Sequence, residues 1–238
     1  MIWRVGLIDS CGAWNGATAA AAFASAGTHI ERRPPGPDPT GHGSRIAGIL
    51  TSAGAPVELL LGQVFLSTMP ASAAAVAAAI DWARSHGAHL IHLSLGLTAD
   101  RGVLREAVAR ARSSGVVLVA AMPARGTPVY PAGYASVIGG TGDARCGPDE
   151  VSVLGPRLFG AFLGTAHSRS GGASIGAAWV SRTLVRLPSG TPAGDAIAGL
   201  RAMARYQGPE RRRKQSPNGP VQDVNQPSCD PPRSSPAP

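Results

Sequence analysis

Short runs rich in leucine and β-branched residues alternate along this chain with longer segments that have the apolar spacing of helices. Strands are predicted at residues 2–8, 57–65, 88–96, 116–121 and 136–142, and helices at residues 43–50, 71–86, 101–114, 172–187 and 193–206. This alternation predicts an α/β fold, with a mostly parallel sheet covered by helices on both faces. In such sheets, functional groups collect at the carboxyl ends of the strands.

Three other segments have different patterns. Residues 17–26 are rich in alanine and are expected to be helix or loop, and "ERRPPGPDP" at residues 31–39 is expected to be a proline-rich loop. Proline, serine, glutamine, asparagine and charged residues dominate from residue 208 onward. We therefore expect one compact domain over residues 1–207 and a disordered tail over residues 208–238.

The composition excludes several classes of protein. A chain of 238 residues is long enough to bury a substantial core. No window reaches the ~18 consecutive apolar residues of a membrane span, and the alanine-rich run at residues 71–80 is followed by Asp81 and Arg84. The opening "MIWRVGLIDS" has no basic leader or apolar signal region. We expect a cytoplasmic protein that has no membrane partner.

The net charge of +8 comes almost entirely from arginine, since Lys214 is the only lysine. Nucleic-acid binding is one interpretation of this charge; an arginine-rich composition with a basic run at residues 211–214 is the other. Aromatic residues make up only 5% of the chain, which offers no evident stacking platform. We therefore expect no nucleic-acid partner.

Cysteine and acidic residues indicate neither a disulfide framework nor a cofactor. Cys11, Cys146 and Cys229 are odd in number and lack the spacing of a metal site. The acidic residues at positions 143, 149 and 150 are too few and too scattered for a calcium site. We expect no metal and no cofactor.

Three short motifs carry residues suited to catalysis. "VGLIDS" ends a buried strand at Asp9, "GHGSRIAG" places His42 at a helix start, and "GGASIGAAWV" places Ser174 among small residues at another helix start. Each has an ordinary structural interpretation: a turn aspartate, a glycine-flanked turn, and a helix N-cap. Together they supply a nucleophile, a base that takes its proton, and a carboxylate that orients the base.

These motifs resemble those of the subtilisin-like serine proteases. "VGLIDSC" is similar to the aspartate motif of the family, "GHGSRIAGIL" to its histidine motif, and "GASIGAAWV" to its serine motif. The stretches at residues 91–96 and 115–143 are similar to two strand blocks between them, so the resemblance covers roughly residues 2–187. It implies a three-layer subtilisin-like fold and a serine endopeptidase whose triad is Asp9, His42 and Ser174.

The same resemblance implies where a polypeptide substrate binds. Ser94, Leu95 and Gly96 match the segment on which the substrate backbone lies as an added strand. The far wall of the primary specificity pocket matches Ala121, Met122 and Pro123, at the end of the strand predicted at residues 116–121. The alternative is that both sets are simply the ends of core strands.

The chain departs from the family where an oxyanion forms. An ungapped match puts Ala124 in place of the asparagine that donates to the oxyanion, and Ala173 in place of the threonine before the nucleophile. The backbone N–H of Ser174 remains as a donor. Arg125 is a candidate for the lost donor, and its alternative is a solvated loop arginine.

A weakened oxyanion hole favours a slow, selective processing protease. The region at residues 123–146 is similar to the cytoplasmic subtilisin-like maturation proteases of quinohemoprotein amine dehydrogenase, which remove the leader of its small subunit. This resemblance implies a dedicated precursor protein as the substrate. The alternative from another class is a pseudoprotease that binds a peptide in the same cleft without cleaving it.

Overall fold

The computed structural model describes residues 2–67, 70–164 and 172–209. In chain order the elements are β1 (Trp3–Asp9), β2 (Ala17–Ala26), β3 (His29–Arg33), α1 (His42–Thr51), β4 (Val57–Gln63), α2 (Ala73–Ser85), β5 (Leu90–Leu93), α3 (Gly102–Ser113), β6 (Val117–Ala121), β7 (Ile138–Gly142), β8 (Val151–Val153), β9 (Leu158–Ala161), α4 (Ala173–Leu184), α5 (Ala193–Met203) and β10 (Tyr206–Gln207). The predicted tail lies outside the described residues from residue 210 onward.

Ten strands form one sheet in the order β10-β8-β9-β7-β6-β5-β1-β4-β2-β3. Two of the pairs, β2 with β3 and β8 with β9, are antiparallel, and the other pairs are parallel. Helices α1, α4 and α5 pack on one face, and α2 and α3 pack on the other. The predicted fold class, a mostly parallel sheet between two layers of helices, is therefore confirmed.

The central strand β1 shows why the sheet has helices on both faces. Val5 and Leu7 are fully buried against the side of α1 and α4, whereas Ile8 is fully buried against the side of α2. A strand covered on both faces has no polar face, and this accounts for the apolar run that precedes Asp9.

Within the described residues, no helix combines the length and the hydropathy needed to cross a lipid bilayer.

The prediction of helix or loop for residues 17–26 is wrong, because this segment is the ten-residue strand β2. Alanine favours helices in isolation, but here the chain pairs with β4 on one side and with β3 on the other. A two-residue turn joins β2 to β3, and its first position is Gly27 at φ 61°. Tertiary pairing therefore overrides the alanine propensity. The predicted loop at residues 31–39 begins inside β3, the outer strand of this hairpin.

Three short strands lie where the sequence predicted none. β8 and β9 form an antiparallel pair within residues 151–161, and β10 adds two residues to the edge beside β8. Strands of two to four residues have too few side chains to show an alternating pattern. They extend the sheet on the side away from β1.

The topology places the end of β1 next to the end of β5. β1 lies between β4 and β5, and Ile8 is in register with Leu93. The residues that follow, Asp9 on β1 and Ser94 after β5, therefore leave the sheet side by side at its carboxyl edge. In doubly wound sheets such an edge is where ligands bind.

Candidate active site

Asp9 ends β1 with its carboxylate almost fully buried, at 1% exposure. Its Oδ1 atom accepts hydrogen bonds from the backbone N–H of Ser10 at 2.6 Å and from the Ser10 hydroxyl at 3.1 Å. A carboxylate removed from water needs such hydrogen-bond donors. The aspartate is thus held in one orientation at the carboxyl edge of the sheet.

His42 is the first residue of α1, and its ring meets the Asp9 carboxylate directly. The Nδ1 atom of His42 lies 2.9 Å from Oδ1 and 3.0 Å from Oδ2 of Asp9. This hydrogen bond raises the pKa of His42 above its ordinary value of 6.5, although burial acts in the opposite direction. Nδ1 therefore carries the proton when the ring is neutral, and Nε2 is the atom able to accept one.

The two glycines around His42 are required for different physical reasons. Gly41 adopts φ 68°, a left-handed conformation that places the histidine at the start of α1. Gly43 is buried against β1, and a methyl group there would lie 2.3 Å from the backbone N of Cys11. The helix can approach the end of β1 this closely because residue 43 has no side chain.

Asp38, which none of the sequence motifs singled out, holds the N-terminus of α1. Its Oδ1 accepts from the N–H of Gly41 at 2.9 Å, and its Oδ2 accepts from the N–H and the hydroxyl of Ser44 at 2.8 and 2.7 Å. Partial burial acts to raise the pKa of Asp38, but the hydrogen bonds from Ser44 outweigh it and hold the pKa at about 2. The signal was available in the sequence, since an acidic residue shortly before a helix start is favoured by the unpaired N–H groups and the dipole of the helix.

Ser174 is the second residue of α4, which begins after Gly172 at φ 131°. In this position its backbone N–H belongs to the first helical turn, where N–H groups have no partner within the helix. The hydroxyl donates to the backbone carbonyl of Ser94 at 3.1 Å. Among the hydrogen bonds of the described residues, none joins Ser174 to His42.

The three residues of the predicted triad are therefore not all in mutual contact. The structure brings Asp9 and His42 together, and it places the Ser174 hydroxyl on Ser94, the residue beside Asp9 at the sheet edge. A cleft of ≈ 320 Å³ lies beside this edge. It is lined by Asp9, Ser10, Thr40, His42, Phe65, Ser67 and Ser94. Catalytic hydrogen bonds are often loose in the absence of substrate.

The segment predicted to bind the substrate backbone follows β5. Ser94 and Leu95 are buried, whereas Gly96 is exposed. The next residue, Leu97, exchanges two backbone hydrogen bonds with Tyr130, at 2.7 and 2.8 Å. Within the part of the chain that the structure describes, the backbone of Leu95 and Gly96 forms no hydrogen bond. Their role in binding a substrate strand stays a prediction.

Residues 121–123 comprise the last residue of β6 and the first two residues after it; β6 is the neighbour of β5 in the sheet. Ala121 is buried, Met122 is half-buried, and Pro123 is exposed. The N–H of Met122 donates to the carbonyl of Gly140 at 2.8 Å, which ties this segment to β7. The assignment of these residues to a pocket wall stays a prediction.

The predicted oxyanion donors differ in their surroundings. Ala124 and Arg125 lie in an exposed turn after β6, and within the described residues Arg125 forms no hydrogen bond or ion pair. Ala173 is the first residue of α4 and offers only its backbone N–H. The backbone N–H of Ser174, in the first turn of α4, is thus the donor that the structure holds in place.

Two further groups considered in the sequence are the cysteines and the possible metal ligands. Cys11 and Cys146 are buried free thiols, and Cys229 lies outside the described residues. No group of three or more histidine, cysteine, aspartate or glutamate residues suited to a metal ion occurs among the described residues.

The fold of this chain is similar to those of several solved proteases. It is similar to a solved psychrophilic protease, with a TM-score of 0.58 and 18% identity over 84% of this chain and 82% of the other. It is also similar to the prenylagaramide maturation protease PagA, with a TM-score of 0.52 and 16% identity over 77% of this chain and 73% of the other. A mutant of the protease domain of PatA gives a TM-score of 0.51 and 20% identity, over 77% and 78% of the two chains. The fold is the subtilisin-like α/β fold.

Sequence similarity agrees with this class. The chain is 30% identical to subtilisin DY of Bacillus licheniformis over 182 residues, which are 70% of this chain and 64% of the relative. It is 26% identical to a thermostable alkaline protease of Halalkalibacterium halodurans over 199 residues, 79% of this chain and 53% of the relative. No protein-family model matches the sequence. The chain spans less than two thirds of the length of each of these relatives, and over that span it is similar to subtilisin-like serine proteases.

Proposed function

We propose that this protein is a serine endopeptidase that cleaves a peptide bond of a partner polypeptide through Asp9, His42 and Ser174. The observation that carries the proposal is the Nδ1 contact of His42 with the buried Asp9 carboxylate. It leaves Nε2 as the proton acceptor at the edge of the cleft. Ser174 lies at the start of a helix that packs against α1, the helix of His42.

The proposed first step forms an acyl-enzyme. A change of the χ1 rotamer of Ser174 moves its hydroxyl from the Ser94 carbonyl towards Nε2 of His42. As the oxygen bonds to the substrate carbonyl carbon, Nε2 takes the hydroxyl proton, and Asp9 stabilises the imidazolium. The backbone N–H of Ser174 and the N-terminal end of α4 stabilise the oxyanion.

The imidazolium then returns the proton to the departing amine as the carbon–nitrogen bond breaks. In the second step, water attacks the acyl-enzyme while His42 again accepts a proton. The carboxylic acid leaves, and the Ser174 hydroxyl is restored. The substrate backbone lies along Ser94, Leu95 and Gly96 as an added strand, with Ala121, Met122 and Pro123 at the pocket wall.

Because this chain has no asparagine at the usual oxyanion position, we expect a slow enzyme. In subtilisin, removal of one such donor lowers turnover by about 10²- to 10³-fold. We propose that the Arg125 guanidinium partly replaces this donor. If Arg125→Ala leaves turnover unchanged, this assignment is wrong and the backbone N–H acts alone.

We further propose a processing role with a dedicated precursor, the leader-bearing small subunit of quinohemoprotein amine dehydrogenase, in the cytoplasm. The supports are the resemblance at residues 123–146 and the fold shared with the maturation protease PagA. Incubating the protein with this precursor and reading the new termini by mass spectrometry tests it. A single cut at the leader junction, absent with Ser174→Ala, is expected; an uncut precursor overturns the role.

The competing function is a peptide-binding pseudoprotease. The resting contact of Ser174 with Ser94, instead of His42, is the observation in its favour. Retention of all three chemical groups argues against it, because a site without selection for catalysis has no need of a buried carboxylate on the histidine. Binding of the precursor without any cleavage, by folded protein, would identify the pseudoprotease.

A further inference from the structure

A second histidine, His92, lies inside the sheet core behind the candidate site. It is on β5 and is fully buried, at 0% exposure, between the buried residues Ile91 and Leu93. Its Nδ1 atom lies 2.9 Å from the Ser181 hydroxyl, and its Nε2 atom lies 2.6 Å from the Ser94 hydroxyl. Both ring nitrogens therefore have a partner.

The two partners of His92 lie on the two elements next to Ser174, the end of β5 and helix α4. Ser94 receives the Ser174 hydroxyl on its backbone carbonyl, and it also lines the cleft beside His42. Ser181 is on α4, seven residues after Ser174. Seven residues are two helical turns, so Ser174 and Ser181 lie on the same face of the helix. His92 thus joins the end of β5 to the face of α4 that carries the nucleophile.

An imidazole suits this position because a neutral ring donates from one nitrogen and accepts at the other. It can therefore bridge two hydroxyls, and a leucine of similar size would leave both without that partner. The charged groups that act on the ring are Asp9 and His42, which have opposite effects on its pKa. Burial has the largest effect and lowers the pKa of His92 to about 4, so the ring stays neutral while the site works.

We propose that His92 is a positioning residue that holds Ser94 and α4 so that the Ser174 hydroxyl stays beside Ser94, which lines the cleft. This inference rests on the proposed protease function. On this proposal, the hydrogen bonds of His92 to Ser181 and Ser94 increase the rate at which Ser174 reacts. This effect is separate from their contribution to the stability of the core. His92 itself touches neither the nucleophile nor, in this assignment, the substrate.

The test compares His92→Leu, His92→Asn, His92→Gln and Ser181→Ala by their rate of covalent labelling with a fluorophosphonate and by their thermal midpoint. A glutamine amide can reach the place of Nε2 and its partner Ser94, whereas an asparagine amide reaches only the place of Nδ1. We expect the leucine and asparagine variants to label about 10- to 100-fold more slowly, because small misplacements cost that much. The glutamine variant is expected to recover part of the rate.

Thr183→Val is the matched control. Thr183 is a buried hydroxyl on the same helix, and it bonds to its own helix at the Trp179 carbonyl, 3.0 Å away. Its loss is expected to lower the thermal midpoint and to leave the labelling rate within about twofold. If the rates of all variants simply follow their thermal midpoints, His92 is only a core residue and the proposal is overturned.

The outcomes separate the two proposals. Wild-type protein that folds but does not label refutes the protease function and the positioning role with it. Wild-type protein that labels, together with His92→Leu that labels equally fast, refutes only the positioning role. If His92→Leu does not fold, Ser181→Ala decides: an unchanged rate overturns the proposal, and a slowed rate in a folded variant supports it.

Discussion

The Nδ1 atom of His42 lies within hydrogen-bond distance of both carboxylate oxygens of Asp9, at 2.9 and 3.0 Å. The contact raises the pKa of His42 above 6.5. A base acts only in its neutral form, so turnover is expected to rise with pH and to reach half its maximum above pH 6.5. The pH dependence of kcat/KM measures this midpoint.

Asp9→Asn supplies the comparison for that profile. The amide keeps the size of the side chain and removes the charge, so turnover is expected to fall roughly 10³- to 10⁴-fold. The midpoint of the remaining activity is expected to shift to lower pH, because the main cause of the raised pKa is gone. A midpoint at the wild-type value, or a flat profile between pH 5 and 8, would refute a base oriented by Asp9.

Substitution of Asp38 tests how much the start of α1 depends on the carboxylate that accepts its backbone N–H groups. Asp38→Ala removes acceptors for Gly41 and Ser44 and is expected to lower the free energy of unfolding by about 1–2 kcal/mol at pH 7. Because the pKa of Asp38 is depressed to about 2, its contribution is present above pH 4 and is lost as the pH falls towards 2. Denaturant unfolding at pH 7 and at pH 2.5 measures both values.

Asp195→Ala is the control for the cap. Asp195 lies in the first turn of α5, away from the site, and the helix there has no side-chain cap. Its loss is expected to leave turnover unchanged, whereas Asp38→Ala lowers turnover because the start of α1 carries His42. Equal turnover in the two variants would contradict a positioning effect of Asp38.

Gly43 tests the close approach of α1 to β1. A methyl group at residue 43 would lie 2.3 Å from the backbone N of Cys11, so Gly43→Ala is expected to cost about 1–3 kcal/mol of unfolding free energy and most of the activity. Gly48→Ala on the same helix meets nothing nearer than Trp14 at 3.7 Å. Its helix propensity should make it neutral or stabilising by up to ~1 kcal/mol. Equal midpoints in urea for the two variants would contradict the packing described.

Buried His92 predicts sensitivity to mild acid. Its pKa is about 4 in the folded protein against 6.5 in the unfolded chain, so the unfolded state takes up a proton first. Stability is complete above pH 6.5 and falls as the pH drops from 6.5 to 4, by on the order of 3 kcal/mol. Urea unfolding of wild type and His92→Gln across this range measures the effect. A slope that His92→Gln leaves unchanged would assign the acid sensitivity to other groups.

Much of the architecture could be predicted from the sequence. The apolar strand that ends at Asp9 and the helix that begins at His42 both have local signals, a two-sided apolar run and a glycine-flanked start. The fold class followed from their alternation with the other elements and is confirmed. β2 could not be predicted, since its alanines favour a helix until β4 and β3 are present to pair with it.

The contacts of the site depend on distant parts of the chain and were harder to foresee. Ser174 was placed at a helix start, but its resting partner is the carbonyl of Ser94, eighty residues away. The bridge from His92 to Ser181 spans 89 residues, and "IHLSLG" shows only a polar residue within a strand. Such pairings arise from the packing of α4 on the sheet, for which a single sequence has no local pattern.

The most direct test of the protease account is active-site labelling followed by peptide mass spectrometry. Folded wild-type protein treated with a fluorophosphonate is expected to carry the adduct on Ser174, and His42→Ala and Asp9→Asn are expected to label much more slowly. Ser174→Ala should carry no adduct. Folded wild-type protein without any adduct, or an adduct that persists in Ser174→Ala, would contradict the assignment of Ser174 as the nucleophile.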